Sequence, residues 1–294
     1  MNKHEGNNLL SAAVKIMVVL IVDIVLNRII PYEFVQFDHR GYFDKMFTNE
    51  PFSLVEWFYM IWNRDIRLLT IHLFIIVIVI LLVFRFRFKR EENFQLTRHT
   101  VIITILCFVL AIIGYSYMMY YQYQQGSLHW ESQIINFFRQ IFVVGLLEEL
   151  IYRGFIANEL FRLKRSGLNT FFAIAISAII FWFSHIQGSI ISALLFGMPL
   201  SILHWGFLEQ FISVTFFGAS MAVILYYNKD IVSLICIHAT HNILLESYIG
   251  SGESLLMGAV YGVFYAVIIV CYPAFLIYTA RKKLLSAVYC RAKW

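Results

Sequence analysis

Charge is scarce in this sequence. Of its 294 residues only 14% are charged, against 60% hydrophobic, whereas a soluble globular domain carries about 25% charged and roughly 45–50% apolar residues. That balance excludes a water-soluble globular chain. The formal charge of +5 is modest and gathers in loops, which fits membrane topology rather than nucleic-acid binding. Cysteine is scarce too: Cys107, Cys236 and Cys271 stand inside apolar runs, and Cys290 lies near the end. They form neither a metal knuckle nor a disulfide framework. In "CRAKW" the cysteine stands one residue too far in for a prenylation box. The run at 9–26 lacks a polar, small-residue cleavage region after it, so it reads as a retained span and not a signal peptide. No internal repeat and no domain boundary interrupts the chain.

What fills the sequence is apolar runs. Crossing about 30 Å of hydrocarbon takes roughly 17–25 helical residues, and about eight runs meet that length. They lie near 9–30, 69–86, 101–121, 138–160, 169–186, 206–227, 231–248 and 257–280. None alternates polar and apolar residues as a barrel strand does, so the expected fold is all-α, a polytopic transmembrane helical bundle. Basic residues mark "RFRFKREENFQLTR", "RLKR", "NKD" and "RKK", while the loop at 122–137 has no Lys or Arg. The positive-inside rule then puts both termini in the cytoplasm of a multi-pass cell-membrane protein in contact with lipid. The outside loop at 31–68 contains Ser53 and Glu56 in capping-box spacing, at the start of an aromatic segment expected to lie at the interface. "LHWESQIINFF" leads into the fourth span, and "GSIISALLFGMPLSILHW" reads as a re-entrant or interfacial piece. Three stretches follow: N-terminal helices with the outside loop at 1–130, a chemistry-bearing core at 131–250, and a last span with a basic tail at 251–294.

The core's polar residues are few and expensive. In "VVGLLEELIYRGFIA", residues 143–157, each acid costs on the order of 2.5–3.5 kcal/mol to insert. Glu149 and Arg153 are four apart, on one helical face, where an ion pair relieves that cost. Glu148 is turned about 100° away and has no sequence-local partner. One carboxylate is thus placed for structure and one for reaction. His185 ends "FWFSH", one turn beyond Phe181. His238 and Asn242 share a face in "HATHN". At about 1.5 Å per residue, Glu148 and His185 lie roughly 20 Å from the cytoplasmic end, His238 shallower and Asn242 between. The structural alternatives are ion pairing for the acids and interhelical hydrogen bonds, about 0.6 kcal/mol each, for His238 and Asn242. His241 faces nearly the same way as His238, as helper or bystander. His72, His129 and His204 read as interface residues.

"EELIYR", "FWFSH" and "HATHN" resemble the three signatures of the CPBP intramembrane proteases, EExxxR, FxxxH and HxxxN. The approach "FFGASMAVILYYNKDIVSLICIHATHN" is similar as well, and the resemblance covers about 138–245. The family includes CAAX proteases that trim prenylated proteins, and bacterial relatives of bacteriocin-processing, self-immunity or abortive-infection type. The resemblance implies an endopeptidase acting on a membrane-associated protein or peptide. It implies Glu148 as the base that activates water, His185, His238 and Asn242 as the rest of the catalytic group, and Glu149, Arg153 and His241 in support. A low-dielectric cavity makes a carboxylate a readier proton acceptor, and His and Asn donors suit an oxyanion. The cofactor stays open: none, or a divalent metal such as zinc on Glu148, His185 and His238, since no HExxH helix is present. Two other readings also stand, a non-proteolytic scaffold or regulator on the same fold and a proton-coupled transporter. The transporter would call for inverted repeats and paired broken helices, which the sequence lacks.

Overall fold

The computed structural model describes residues 3–24, 93–128, 130–163, 169–196 and 205–291. The span at 69–86, the segment around Ser53 and Glu56, and His72, His129 and His204 lie outside these residues. Seven helical paths carry the described chain: α1 (Lys3–Ile24), α2 (Arg98–Gln124), α3 (130–162), α4 (Thr170–Phe196), α5 (Trp205–Asn228), α6 (Ile231–Gly250) and α7 (255–291). There is no strand among the described residues; Phe94 and Asp230 form an isolated bridge. Three helical stretches, Arg98–Gln124, Phe207–Asn228 and Leu255–Lys283, are long and apolar enough to cross a membrane, and Leu10–Val22 and Thr170–Ile186 are shorter apolar helices.

The helix ends follow from local chemistry. Thr97 caps α2: its hydroxyl accepts from Thr100 N at 3.2 Å while its own amide donates to Thr100 Oγ1 at 2.9 Å. This reciprocal pair satisfies two amides that the helix leaves without partners. Asp230 caps α6 by accepting from Val232 N and Ser233 N at 3.1 and 3.2 Å. Before it Lys229 takes a positive φ of 57°, so α5 reverses into α6 within two residues.

α3 is not a uniform helix. It runs as α-helix over Trp130–Phe138, widens to i→i+5 turns over Arg139–Gly145, tightens for Leu146–Glu148, and widens again over Glu149–Ala157 before Asn158–Arg162. Such π-helical insertions are frequent at functional sites, and here the two acids sit where one tight turn meets the second widened stretch. α4 also differs from expectation. The piece expected to be re-entrant begins as more α4, which continues past Ile186 through Gly188 to Phe196. A lone glycine costs a helix only about 1 kcal/mol, and the small and apolar residues after it continue the turn.

α6 is the central post. It packs against α2, α3 and α7, while α4 packs on α5 and the middle of α3, and α5 reaches α7. Ile237, Leu244, Met221, Ile224, Ile151 and Ile156 are fully buried among these helices. Small residues set the closest approaches, as they do where lipid removes the hydrophobic drive between helices. A Cβ on Gly145 would lie 3.1 Å from Ile235 O on α6, and one on Gly218 would lie 3.3 Å from Ala178 Cα on α4. Ile102, Ile113, Val263 and Phe275 face outward, the surface that a bilayer would cover.

Polar ties collect at two ends of the bundle. At one end Asn158 Nδ2 donates to Asn93 Oδ1 at 2.6 Å, Gln95 N to Lys229 O at 2.8 Å, and Asn228 Nδ2 to Tyr272 OH at 2.7 Å. Lys15 of α1 reaches Glu159 there at 3.4 Å, and Glu159 also pairs with Arg162. At the other end Tyr117 OH lies 3.1 Å from Ser254 Oγ, and Tyr115 OH donates to Gln133 Oε1 at 2.9 Å.

Candidate active site

The acids sit at the junction of α3's tight and wide turns, Glu148 closing one and Glu149 opening the other. Glu149 is wholly buried. Its Oε1 accepts from Arg153 Nη1 at 3.0 Å and from His238 Nδ1 at 2.7 Å. A carboxylate only accepts, so His238 carries its proton on Nδ1 and turns Nε2 outward. Glu148 Oε2 faces that nitrogen at 3.8 Å, and the Glu148 side chain is 30% exposed where that of His238 is 4%. Among the described residues the Oε2 atoms of both acids are buried without a hydrogen-bond partner, so the two differ in the donors on Glu149 Oε1 and in the exposure of the rest of Glu148. One acid is thus locked inside and its neighbour is left open.

Arg153 is as buried as its partner. Its guanidinium carbon stands 3.9 Å from the centre of the Phe181 ring, a cation–π contact that offsets desolvation. Phe181 is the wall the site shares: its ring centre lies 4.6 Å from that of His185 and 6.1 Å from that of His238. Phe217 of α5 closes the other side of His238 at 5.1 Å.

His185 repeats the logic of His238. Its Nδ1 lies 2.9 Å from Phe181 O, and a carbonyl oxygen only accepts, so the proton is again on Nδ1 and Nε2 is the acceptor. With these tautomers the Nε2 atoms accept rather than donate. In their neutral forms both rings accept a hydrogen bond through Nε2, which suits holding a water. Asn242 Nδ2 keeps a second N–H beyond the one it gives to Gln140.

The structure therefore brings Glu148, Glu149, Arg153 and His238 into one contact group and joins His185 to it through Phe181. Asn242 lies one turn along α6 from His238 and donates to Gln140 Oε1 of α3 at 3.3 Å. His241 turns away from the acids: it stacks on Phe217 at 4.6 Å, and its Nδ1 lies 3.4 Å from Tyr261 OH of α7. The sequence reading missed Gln140, Asn136 and Glu246. Their signal was a pair of i, i+4 polar spacings, Asn136/Gln140 and Asn242/Glu246, in otherwise apolar helices.

For a metal, the donor set is incomplete. Glu148 and His238 are close enough to share an ion, and a carboxylate behind the histidine's other nitrogen is what metal-ligating histidines have. A catalytic zinc commonly takes three protein ligands. Among the described residues no three His, Cys, Asp or Glu side chains are grouped to hold one.

Residues 129–244, which contain all of these side chains except Glu246 and Tyr261, match the family model described as Type II CAAX prenyl endopeptidase Rce1-like. No curated protein matches the chain, and no solved structure does.

Proposed function

We propose, from the premise that residues 129–244 form a domain of the CPBP family, that the chain hydrolyses a peptide bond of a membrane-associated protein or peptide, with Glu148 as the general base. The family supports an intramembrane endopeptidase in general. The observation that carries the finer reading is the separation of the two acids. Glu149 is wholly buried and accepts from Arg153 and His238 through Oε1, while Glu148 is 30% exposed and turns its Oε2 toward Nε2 of His238.

The steps follow from those positions. A water donates one hydrogen to Glu148 and the other toward a histidine Nε2, which aims its lone pair at the substrate carbonyl. Glu148 takes the proton as the water oxygen bonds to the carbonyl carbon, and the carbonyl oxygen becomes an oxyanion. Asn242 Nδ2, with a second N–H beyond the one given to Gln140, donates to that oxygen. The intermediate collapses, the C–N bond breaks, and the proton on Glu148 moves to the leaving nitrogen. Glu149 holds His238 in the tautomer this needs, and Arg153 balances the charge of Glu149. A bundle of about eight spans with both termini in the cytoplasm belongs to the same proposal.

The test is a comparison of membrane peptidomes from cells making the wild-type chain and Glu148→Gln at equal levels. Peptides present only with the wild type support the reading. Identical peptidomes overturn it.

A further inference from the structure

Three side chains behind Asn242 form a chain of hydrogen bonds with a fixed direction. Asn136 Nδ2 donates to Glu246 Oε2 at 2.7 Å, and Gln140 Nε2 donates to Glu246 Oε1. The oxygen of Gln140 in turn accepts from Asn242 Nδ2 at 3.3 Å. Gln140 is buried, and the other three are partly buried. The hydrogen bonds of Glu246 go to Asn136 and Gln140, and the reaction proposed above does not use it.

We infer, resting on the endopeptidase reading, that Gln140 and Glu246 are positioning residues that fix which way the Asn242 amide points. An amide flipped by 180° exchanges donor for acceptor, and nothing in its shape prevents the exchange. Ionised, Glu246 accepts through both oxygens and donates through neither. Both α3 amides must therefore turn their NH2 groups to it. That choice leaves Gln140 presenting its oxygen to α6, so Asn242 must present NH2 in return. The charge of Glu246 is thus read out, two side chains away, as a donor aimed from Asn242. α3 is held to this task by its backbone: Gln140 sits in the widened turn Arg139–Gly145, and Gly145 brings that turn against Ile235 O of α6. A mere helix clamp would need the bonds but not their direction, and direction is what an experiment can reverse.

The test uses the full chain, purified and reconstituted in vesicles. Its probe is a synthetic peptide spanning a cleavage site that separates wild type from Glu148→Gln in the peptidome comparison. Gln140→Met keeps the volume and removes both bonds. We expect it to lower kcat by about 10–100-fold, less than the roughly 10²–10³-fold loss of an oxyanion donor itself, with KM little changed. Gln140→Glu alone sets two carboxylates against each other and lowers kcat as well. Adding Glu246→Gln to it exchanges the partners: Gln at 246 donates to Glu at 140, whose other oxygen again accepts from Asn242. The double exchange should recover most of the wild-type kcat. An unchanged kcat in Gln140→Met overturns the inference, as does a double exchange no better than Gln140→Glu alone. Those failures leave the cleavage by wild type and its loss in Glu148→Gln intact. If Glu148→Gln cleaves the probe as the wild type does, the endopeptidase reading fails first and takes this inference with it.

Discussion

Glu148 and Glu149 are the same residue one position apart, and their surroundings give them opposite tasks. Glu149 has no solvent contact and accepts from two donors on different helices. Removing one of those donors tests how the acid is tolerated. Arg153→Ala leaves a buried carboxylate facing only a neutral imidazole, and breaking a buried pair from one side costs about 3–5 kcal/mol. It should lower the yield of folded protein and the unfolding midpoint in detergent. Arg153→Lys should recover only part of that loss, because a point charge cannot lie flat on Phe181. An Arg153→Ala chain as stable as the wild type would mean that the pair is dispensable. The pairing of Glu149 with Arg153 was legible from i, i+4 spacing alone. The bond from His238 to Glu149 was not, because it joins residues far apart in sequence and depends on how α6 is rotated against α3. The same holds for Asn242 and Gln140: each half of that network shows as a local spacing, but the pairing is tertiary.

At the scale of elements, the apolar runs located the described helices well. The runs at 101–121, 206–227 and 231–248 correspond to Arg98–Gln124, Trp205–Asn228 and Ile231–Gly250. What the runs could not carry was the internal form of α3. A hydrophobic run has no periodicity sharp enough to distinguish i→i+4 from i→i+5 turns, so its widened turns were invisible. The end of α4 was missed for a related reason, since glycine marks a break only when a following residue refuses the helix. The contact of α3 with α6 depends on Gly145, where an added Cβ meets Ile235 O and Gln140 O at 3.1 Å and Ala239 Cβ at 3.3 Å. Backbone oxygens cannot rotate aside as a side chain does. Gly145→Val should therefore destabilise the chain by about 1–3 kcal/mol, the usual cost of overpacking. Thermal unfolding in detergent checks this, and an unchanged midpoint would show that the two helices have room to separate.

For the whole molecule, the polar ties fall at the two ends of the bundle. The ends of "RFRFKREENFQLTR", "RLKR" and "NKD" meet through Asn93, Gln95, Asn158, Glu159, Arg162, Asn228 and Lys229. The turn at 125–128, which belongs to the loop without Lys or Arg, lies at the opposite end of α2. Of the basic residues in these segments the described Arg162 and Lys229 fall at this end, the one that the proposed topology puts in the cytoplasm. Reporters fused at either terminus should read cytoplasm, and one inserted at Gly126 should read the outside. A Gly126 reporter on the same side as the termini would contradict the topology.

The central claim is that Glu148 takes the proton from the attacking water, and the rate of peptide release by reconstituted protein tests it most directly. The wild-type chain and Glu148→Gln would be compared at equal amounts of folded protein, on the same peptide and in the same vesicles. Glu148 is partly exposed and its Oε2 makes no hydrogen bond within the described residues, so the amide should leave the unfolding midpoint unchanged. Its cleavage rate should fall by at least about 10²-fold, the lower bound for general acid–base catalysis. A Glu148→Gln chain that releases the peptide at the wild-type rate would contradict the account.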